Sequence, residues 1–137
     1  MKSKDWVWMP HAGHLVVGSM CRFHLNTLVN GRIVSTVGEY LPPEGSWPIY
    51  AESKRVILEG RGDELERDFL KKVGFVEIGA GRMYETMVFK ARKSTARCCA
   101  WEQSSGENLD FDGYNDAGDA AAGHLAMCKK WAKKKRA

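Results

Sequence analysis

Apolar and polar residues alternate most clearly on either side of an Asn-Gly pair in the first third of the chain. The stretch Cys21–Val29 precedes Asn30-Gly31, the stretch Arg32–Tyr40 follows it, and both are rich in β-branched and aromatic residues. Asn-Gly favours a type I′ turn, because both residues tolerate positive φ and the turn matches the twist of paired strands. The pattern therefore predicts a tight β-hairpin over residues 21–40.

The turn also predicts the register of this hairpin and the composition of its two faces. Cross-strand neighbours are Val29 and Arg32, Leu28 and Ile33, Asn26 and Ser35, His24 and Val37, and Arg22 and Glu39. One face carries Cys21, Phe23, Leu25, Thr27, Val29, Val34, Thr36 and Tyr40, which are apolar enough to cover a core. The other face carries Arg22, His24, Asn26, Ser35 and Glu39 around Leu28, Ile33 and Val37. We expect this second, polar face to be accessible.

Two further segments after the hairpin show the periodicity of regular structure. Residues 62–73 read as a helix that Asp63 caps and Gly74 ends, with apolar side chains on one face. Residues 75–78 and 83–89 alternate on either side of a glycine-containing turn and predict a second hairpin. Residues 91–116 are rich in Ser, Gly, Asp and Asn, and we expect them to be irregular except near residues 109–111.

The last segment, residues 116–134, predicts an amphipathic C-terminal helix. Its apolar stripe consists of Ala117, Ala120, Ala121, Leu125, Cys128, Trp131 and Ala132. Lysines gather late in the helix, where the helix dipole favours cations. Residues 15–17 fit a short strand, and the apolar residues 6–9 fit a segment that folds back to cap the sheet.

These elements predict one α+β domain over residues 1–137, with about four antiparallel strands in two hairpins, a middle helix and an amphipathic C-terminal helix. A chain of 137 residues is the usual size of one domain, and its 44% hydrophobic content excludes a disordered chain. No run approaches the roughly 18 apolar residues of a membrane helix. No secretory signal is recognisable at residues 1–10, so we expect a cytoplasmic protein with reduced cysteines.

The net charge of +4 is unevenly distributed. Six basic residues crowd into a basic tail at 129–137: Lys129, Lys130, Lys133, Lys134, Lys135 and Arg136. Without them the remaining body is slightly acidic. Attraction to phosphate is therefore predicted for the C-terminal end and not for a basic face of the fold.

Histidines and cysteines suggest two zinc sites, and we expect neither to form. His11, His14, Cys21 and His24 have short spacings, but Cys21 and His24 are three apart in a strand and point to opposite faces. His124 and Cys128 lie one helical turn apart, with Cys98 and Cys99 as further candidates. Both helical residues fall in the apolar stripe, so core packing explains them better. No metal and no cofactor are predicted.

The polar hairpin face is the stronger candidate for a binding site. Arg22, His24, Asn26, Ser35 and Glu39 combine an anion-binding guanidinium with a titratable imidazole. An ordinary cross-strand ion pair between Arg22 and Glu39 is the structural alternative. No catalytic residue is predicted, and ligand contact is favoured over catalysis.

Five segments carry a resemblance that spans nearly the whole chain. They are Pro10-His-Ala-Gly-His14, Cys21-Arg-Phe-His24, Ile33-Val-Ser-Thr-Val-Gly-Glu-Tyr40, Tyr84-Glu-Thr-Met-Val-Phe89 and Gly123-His-Leu-Ala-Met-Cys128. Together they resemble small accessory proteins of tailed phages and prophages. The resemblance implies the cytoplasm of a bacterial host cell and transfers no catalytic residue.

The leading hypothesis is a noncatalytic phage accessory or anti-defence protein that binds a host protein or a small anionic, nucleotide-like ligand through the hairpin face. One alternative is a nucleic-acid-binding protein that uses the basic tail 129–137. The other is a zinc-binding protein or zinc-dependent enzyme. A sheet edge can also pair between subunits, which predicts a homo-oligomer.

Overall fold

The computed structural model describes residues 2–9, 21–40, 75, 77–78, 81–95 and 100–135. Their strands are β1 (Val7–Met9), β2 (Cys21–Val29), β3 (Arg32–Tyr40), β4 (Tyr84–Lys93), β5 (Trp101–Gln103) and β6 (Asp110–Tyr114), and their α-helix is α1 (Ala117–Ala132). The strands form one antiparallel sheet in the order β1-β2-β3-β4, and β6 and β5 share the far edge of β4. The predicted combination of an antiparallel sheet and a C-terminal helix is confirmed, with more than the four strands expected.

The first hairpin matches the prediction in its bounds, turn and register. Asn30 and Gly31 adopt φ of 53° and 78°, as a type I′ turn requires. Val29 pairs with Arg32, and the alignment continues without a shift to Phe23 and Gly38. The register is determined locally, because a two-residue turn leaves the strands only one way to pair.

The predicted second hairpin is wrong in its pairing. β4 is a strand, but it pairs with β3 on one side and with β6 and β5 on the other. Phe75, Glu77 and Ile78 belong to no strand. Alternation shows that a segment is extended but does not select its partner, and β4 lies in the sheet interior. The predicted strand at 15–17 and helix at 62–73 lie outside the described residues.

Three further strands, β1, β5 and β6, were not predicted or were predicted only in part. β1, expected to cap the sheet, pairs with β2 as an edge strand. β5 and β6 lie in the region expected to be irregular, although β6 includes part of the exception at 109–111. The composition of β6, Asp-Phe-Asp-Gly-Tyr, has weak strand propensity, and pairing with the long edge of β4 overrides it.

α1 packs across the sheet face that contains Val29, Val34 and Val88. Asp116 caps its start by accepting a hydrogen bond from the Asp119 N–H at 2.8 Å. Its buried residues are Ala120, His124, Met127, Cys128 and Ala132. The buried face of α1 is therefore rotated slightly from the predicted apolar stripe. Leu125, which was predicted to lie in that stripe, is 42% exposed.

The C-terminal end of α1 is tied to the hairpin turn. The Asn30 side-chain amide donates to the carbonyl oxygens of Lys134 at 2.5 Å and Trp131 at 3.3 Å. Helix ends leave their last carbonyls unpaired, so the turn serves as a C-terminal cap. The first residues of the predicted basic tail form the last turn of α1, where Ala132 is buried in the core. Across the described residues, no helix has the length and apolar character to span a membrane.

Candidate functional site

The five predicted ligand-binding residues do not share one accessible face. Asn26, Ser35 and Glu39 are only 1%, 2% and 5% exposed, so the expectation of accessibility is wrong for all three. Strand alternation shows which residues share a face, but it does not show whether that face is covered. The set also divides into two groups on opposite sides of the sheet.

The first group joins Arg22 and Glu39 to Tyr84. Glu39 has a φ of 55°, the left-handed conformation, which turns its side chain from the side expected by alternation. Its carboxylate pairs with Arg22 Nε at 2.5 Å and accepts the Tyr84 hydroxyl, and Tyr84 shares a core cluster with Ala120 of α1. Glu39 therefore lies on the helix-covered side of the sheet.

This arrangement occupies the guanidinium that was predicted to bind an anion. Besides its bond to Glu39, the Arg22 group lies over the Phe75 ring, 4.7 Å from the ring centroid. The ion pair that was considered as the structural alternative is thus the one observed. Arg22 is already neutralised by a buried carboxylate, so an anionic ligand would have to displace that carboxylate.

The titratable groups beside this ion pair are held in their protonated forms. Burial, followed by the hydrogen bond and charge of Glu39, raises the pKa of Tyr84 far above its ordinary value. Burial, with smaller contributions from Glu85 and Glu39, raises the pKa of the Cys21 thiol to about 12. A thiol needs its thiolate form to act as a nucleophile, so Cys21 is chemically quiet here.

The second group, on the opposite side of the sheet, consists of His24, Asn26 and Ser35. The Ser35 hydroxyl donates to Asn26 Oδ1 at 2.8 Å. The buried atoms Asn26 Nδ2 and His24 Nδ1 have no hydrogen-bond partner among the described residues. An unpaired buried polar atom costs about 1–3 kcal/mol, so this group is incomplete by itself.

A third polar group, which the sequence did not reveal, lies beneath α1. His124 is fully buried, and its Nε2 and Nδ1 form hydrogen bonds with the hydroxyls of Thr27 at 2.8 Å and Thr36 at 2.7 Å. Thr36 in turn bonds Thr86 at 2.5 Å, and the Trp8 ring lies 5.5 Å from the imidazole. Threonine is common in strands, so Thr27 and Thr36 did not stand out in the sequence. The one indication was that the predicted register places both on the same face of the hairpin.

The environment of His124 keeps it neutral and excludes it as a metal ligand. Burial lowers its pKa to about 4. Both ring nitrogens are engaged with hydroxyls, so neither is open to a metal ion. The expectation that His124 and Cys128 serve core packing is consistent with this burial, and burial also raises the pKa of Cys128 to about 12.

The part of the chain that the structure describes contains no group of three or more His, Cys, Asp or Glu residues that could hold a metal. Cys21 and Cys128 are both buried, and neither forms a disulfide within the described residues. His11, His14, Cys98 and Cys99, the other proposed ligands, lie outside the described residues. The prediction that they bind no metal stays a prediction.

Basic residues from separate segments converge where the Asn30-Gly31 turn lies. Arg32 pairs with Lys90, the Ala91 N–H donates to the Gly31 carbonyl at 3.1 Å, and Asn30 reaches the end of α1. The N-terminal residues arrive at the same end, because Val7 pairs with Leu28 near the turn. We call this set the basic end: Lys2, Lys4, Arg32, Lys90, Arg92, Lys93, Lys129, Lys130, Lys133, Lys134 and Lys135.

Some of these cations are engaged within the fold. Arg92 pairs with Glu102 at 3.0 Å, and Lys130 pairs with Asp110 at 2.7 Å. The Trp131 ring lies 5.0 Å from the Arg32 guanidinium and 5.6 Å from the Lys134 ammonium. The exposed lysines at positions 90, 93, 129 and 133 form no ion pair within the described part of the chain.

The opposite end of the sheet and the start of α1 carry mainly acidic residues: Glu39, Glu77, Glu85, Asp112, Asp116 and Asp119. Among the described residues, cations therefore outnumber carboxylates at the basic end, although Glu102 and Asp110 also lie there and Arg22 and Arg82 lie at the opposite end. The sequence identified only the C-terminal lysines, because the contribution of Arg32, Lys90, Arg92 and Lys93 depends on strand pairing.

Comparisons with protein-family models, with curated proteins and with solved structures gave no match to this chain. The resemblance to phage accessory proteins therefore stays a prediction. The arrangement of the described residues is the remaining basis for proposing a function.

Proposed function

We propose that this protein is a noncatalytic binding protein whose basic end binds nucleic acid. The observation that supports this proposal is the convergence of lysines and arginines from the N-terminal segment, β3, β4 and α1 around one turn. The proposal extends the predicted role of the basic tail to a surface of the folded chain.

Four buried titratable groups of the described residues are not poised for acid–base catalysis. Cys21 and Cys128 are held as thiols, Tyr84 is held as a phenol, and His124 is held as a neutral imidazole beneath the helix. General acid–base catalysis works best with a pKa near the operating pH, and each of these groups is shifted away from it.

A nucleic acid suits the basic end because its phosphates are regularly spaced along an extended chain. Several exposed lysines can each contact a phosphate and release condensed counterions, which supplies affinity without sequence readout. The excess of cations at the basic end also steers a polyanion toward it.

The test measures binding of a fluorescently labelled oligonucleotide by anisotropy over a range of salt concentrations. The double variant Lys90→Gln/Lys93→Gln removes charge carried by the sheet and leaves α1 intact. We expect the slope of log K against log salt to decrease by about 0.7–0.9 for each phosphate that the variant no longer neutralises. Arg82→Gln, an exposed change at the opposite end, is the matched control and should preserve the slope.

Two results would contradict the proposal. One is the absence of oligonucleotide binding at low salt, and the other is an unchanged slope in the double variant. Deleting residues 129–137 is not a clean alternative, since the deletion removes Trp131 and Ala132 from the core.

The second candidate function is binding of a small ligand or a host protein at the hairpin face, as an accessory protein of a phage would do. Asn26 Nδ2 and His24 Nδ1 favour it, because both are buried and lack partners among the described residues. Native mass spectrometry of protein purified from bacteria should show a bound mass that is missing from Asn26→Leu. Its absence from the wild-type protein counts against this function. Homo-oligomerisation and a cytoplasmic location remain predictions from the sequence.

A further inference from the structure

A notch at the basic end lies between the N-terminal segment and the last turns of α1. Ser3, Trp6, Lys129, Ala132 and Lys133 line it, and its volume is about 220 Å³. Lys129 and Lys133 are four residues apart on the helix, so their side chains lie on the same face. A water molecule takes up about 30 Å³ in the liquid, so a notch of about 220 Å³ has room for a tetrahedral oxyanion and part of its hydration shell.

Trp6, one of the residues that line the notch, has an unused hydrogen-bond donor. Its ring packs against the core cluster that includes Val29 and Ala132. Its Nε1 is buried and has no hydrogen-bond partner in the described part of the chain. An indole N–H can only donate, so what it lacks is an acceptor. Because the atom is buried, a ligand in the notch would reach it only after neighbouring side chains move.

Charge in and around the notch favours an anion. No carboxylate is among its lining residues. Asp5, the nearest acidic residue in sequence, accepts a hydrogen bond from the Lys2 backbone N–H at 3.3 Å. Lys129 and Lys133 form no ion pair within the described residues, so their ammonium groups are available to a ligand.

A second cleft of the same volume, about 220 Å³, provides a contrast within the same protein. It lies between β6 and α1, and its lining includes Asp110, Asp112 and Lys130. Lys130 is paired with Asp110 at 2.7 Å, and Trp131 Nε1 donates to the same carboxylate at 2.9 Å. The lysine of this cleft therefore already has an acceptor, and the carboxylate that it pairs with also takes the nearby Trp131 donor, whereas the lysines of the notch have no ion-pair partner among the described residues.

We infer that the notch formed by Ser3, Trp6, Lys129 and Lys133 is a binding site for a phosphate group. The two lysines supply charge, and the Ser3 hydroxyl and the Trp6 indole N–H supply hydrogen bonds. This inference rests on the proposed function, which provides the backbone phosphate of a nucleic acid as one source. A free nucleotide or inorganic phosphate offers the same chemistry as the other source.

The direct test follows the indole N–H signals of the five tryptophans in a ¹H–¹⁵N correlation spectrum. Inorganic phosphate is titrated into the full chain, with chloride at matched ionic strength as the reference, and Trp6→Phe assigns the signal. The Trp6 signal should shift saturably with phosphate. The shift should vanish in Lys129→Gln/Lys133→Gln. It should persist in the control Lys130→Gln, because Lys130 lines the second cleft and is already paired with Asp110. A Trp6 signal that ignores phosphate, or that moves equally with chloride, overturns the inference.

A second arm separates this inference from the proposed function. The variant Lys129→Gln/Lys133→Gln is compared with Lys90→Gln/Lys93→Gln in the oligonucleotide assay, while the Trp6 signal is followed in both proteins. If the oligonucleotide binds and shifts the Trp6 signal only when Lys129 and Lys133 are present, both proposals hold. If phosphate shifts Trp6 but no oligonucleotide binds, the proposed function fails and the notch remains. If the oligonucleotide binds while Trp6 stays silent, the notch fails and the proposed function remains.

Discussion

Two buried polar groups lie on opposite sides of the same hairpin, and they differ in how completely they are paired. Beneath α1, His124 has both ring nitrogens bonded to threonine hydroxyls. On the other side, Asn26 and His24 each keep a buried polar atom without a partner among the described residues. Burial alone therefore does not distinguish a structural polar group from one that is open to a ligand, whereas the pairing of its atoms does.

Removing the imidazole should have the largest effect on stability. His124→Ala leaves the hydroxyls of Thr27 and Thr36 without their partner and opens a cavity beneath the helix. We expect a loss of about 4 kcal/mol in the free energy of unfolding, measured by urea denaturation. A loss below about 1 kcal/mol would show that the network beneath α1 is not structural, and the comparison would fail.

The same histidine predicts a pH dependence with a definite sign. Its pKa is about 4 in the folded protein against an ordinary value of 6.5, so the unfolded chain binds the proton more readily between these values. Stability should therefore fall as the pH decreases from about 6.5 to about 4, by about 3 kcal/mol in total. His124→Gln cannot take up this proton and should show a smaller loss over that interval. Equal losses in the two proteins would assign the effect to other groups.

The hydrogen bonds from Asn30 to the end of α1 should contribute less to stability than His124 does. Asn30→Gly keeps the positive φ that the turn needs but removes the donor to the Lys134 and Trp131 carbonyls. We expect a loss of about 1 kcal/mol, measured as a lowered thermal midpoint. A wild-type midpoint in Asn30→Gly would show that the cap is dispensable.

The sequence predicted features that depend on neighbouring residues better than features that depend on pairing between distant segments. The Asn30-Gly31 turn and the helical periodicity of α1 are encoded within a few residues, so the hairpin register and the presence of a C-terminal helix are confirmed. The partners of β4 depend on segments distant in the chain, and the predicted second hairpin is wrong for that reason. The same limit hid the basic end, because the pairing of Arg32 with Lys90 becomes visible only once β3 and β4 are adjacent. The pairing of Glu39 with Arg22 was anticipated, but the side of the sheet on which Glu39 lies was not, because its left-handed φ breaks the alternation on which its placement relied.

The smallest effect is expected on the incompletely paired side of the hairpin. Asn26→Leu combined with Ser35→Ala replaces both partners of a hydrogen bond with apolar groups and removes the unpaired amide at the same time. Such a replacement can be nearly neutral, so we expect a change below about 1 kcal/mol in ligand-free protein. A loss close to that of His124→Ala would show that this side is as structural as the other. The double variant is then measured both in protein purified with its bound ligand and in protein from which the ligand has been removed. If its change in stability is small in both samples, the hairpin face does not bind that ligand. A substantial loss confined to the ligand-loaded protein would identify Asn26 and Ser35 as part of its site, because a bound ligand stabilises only the folded state that it contacts.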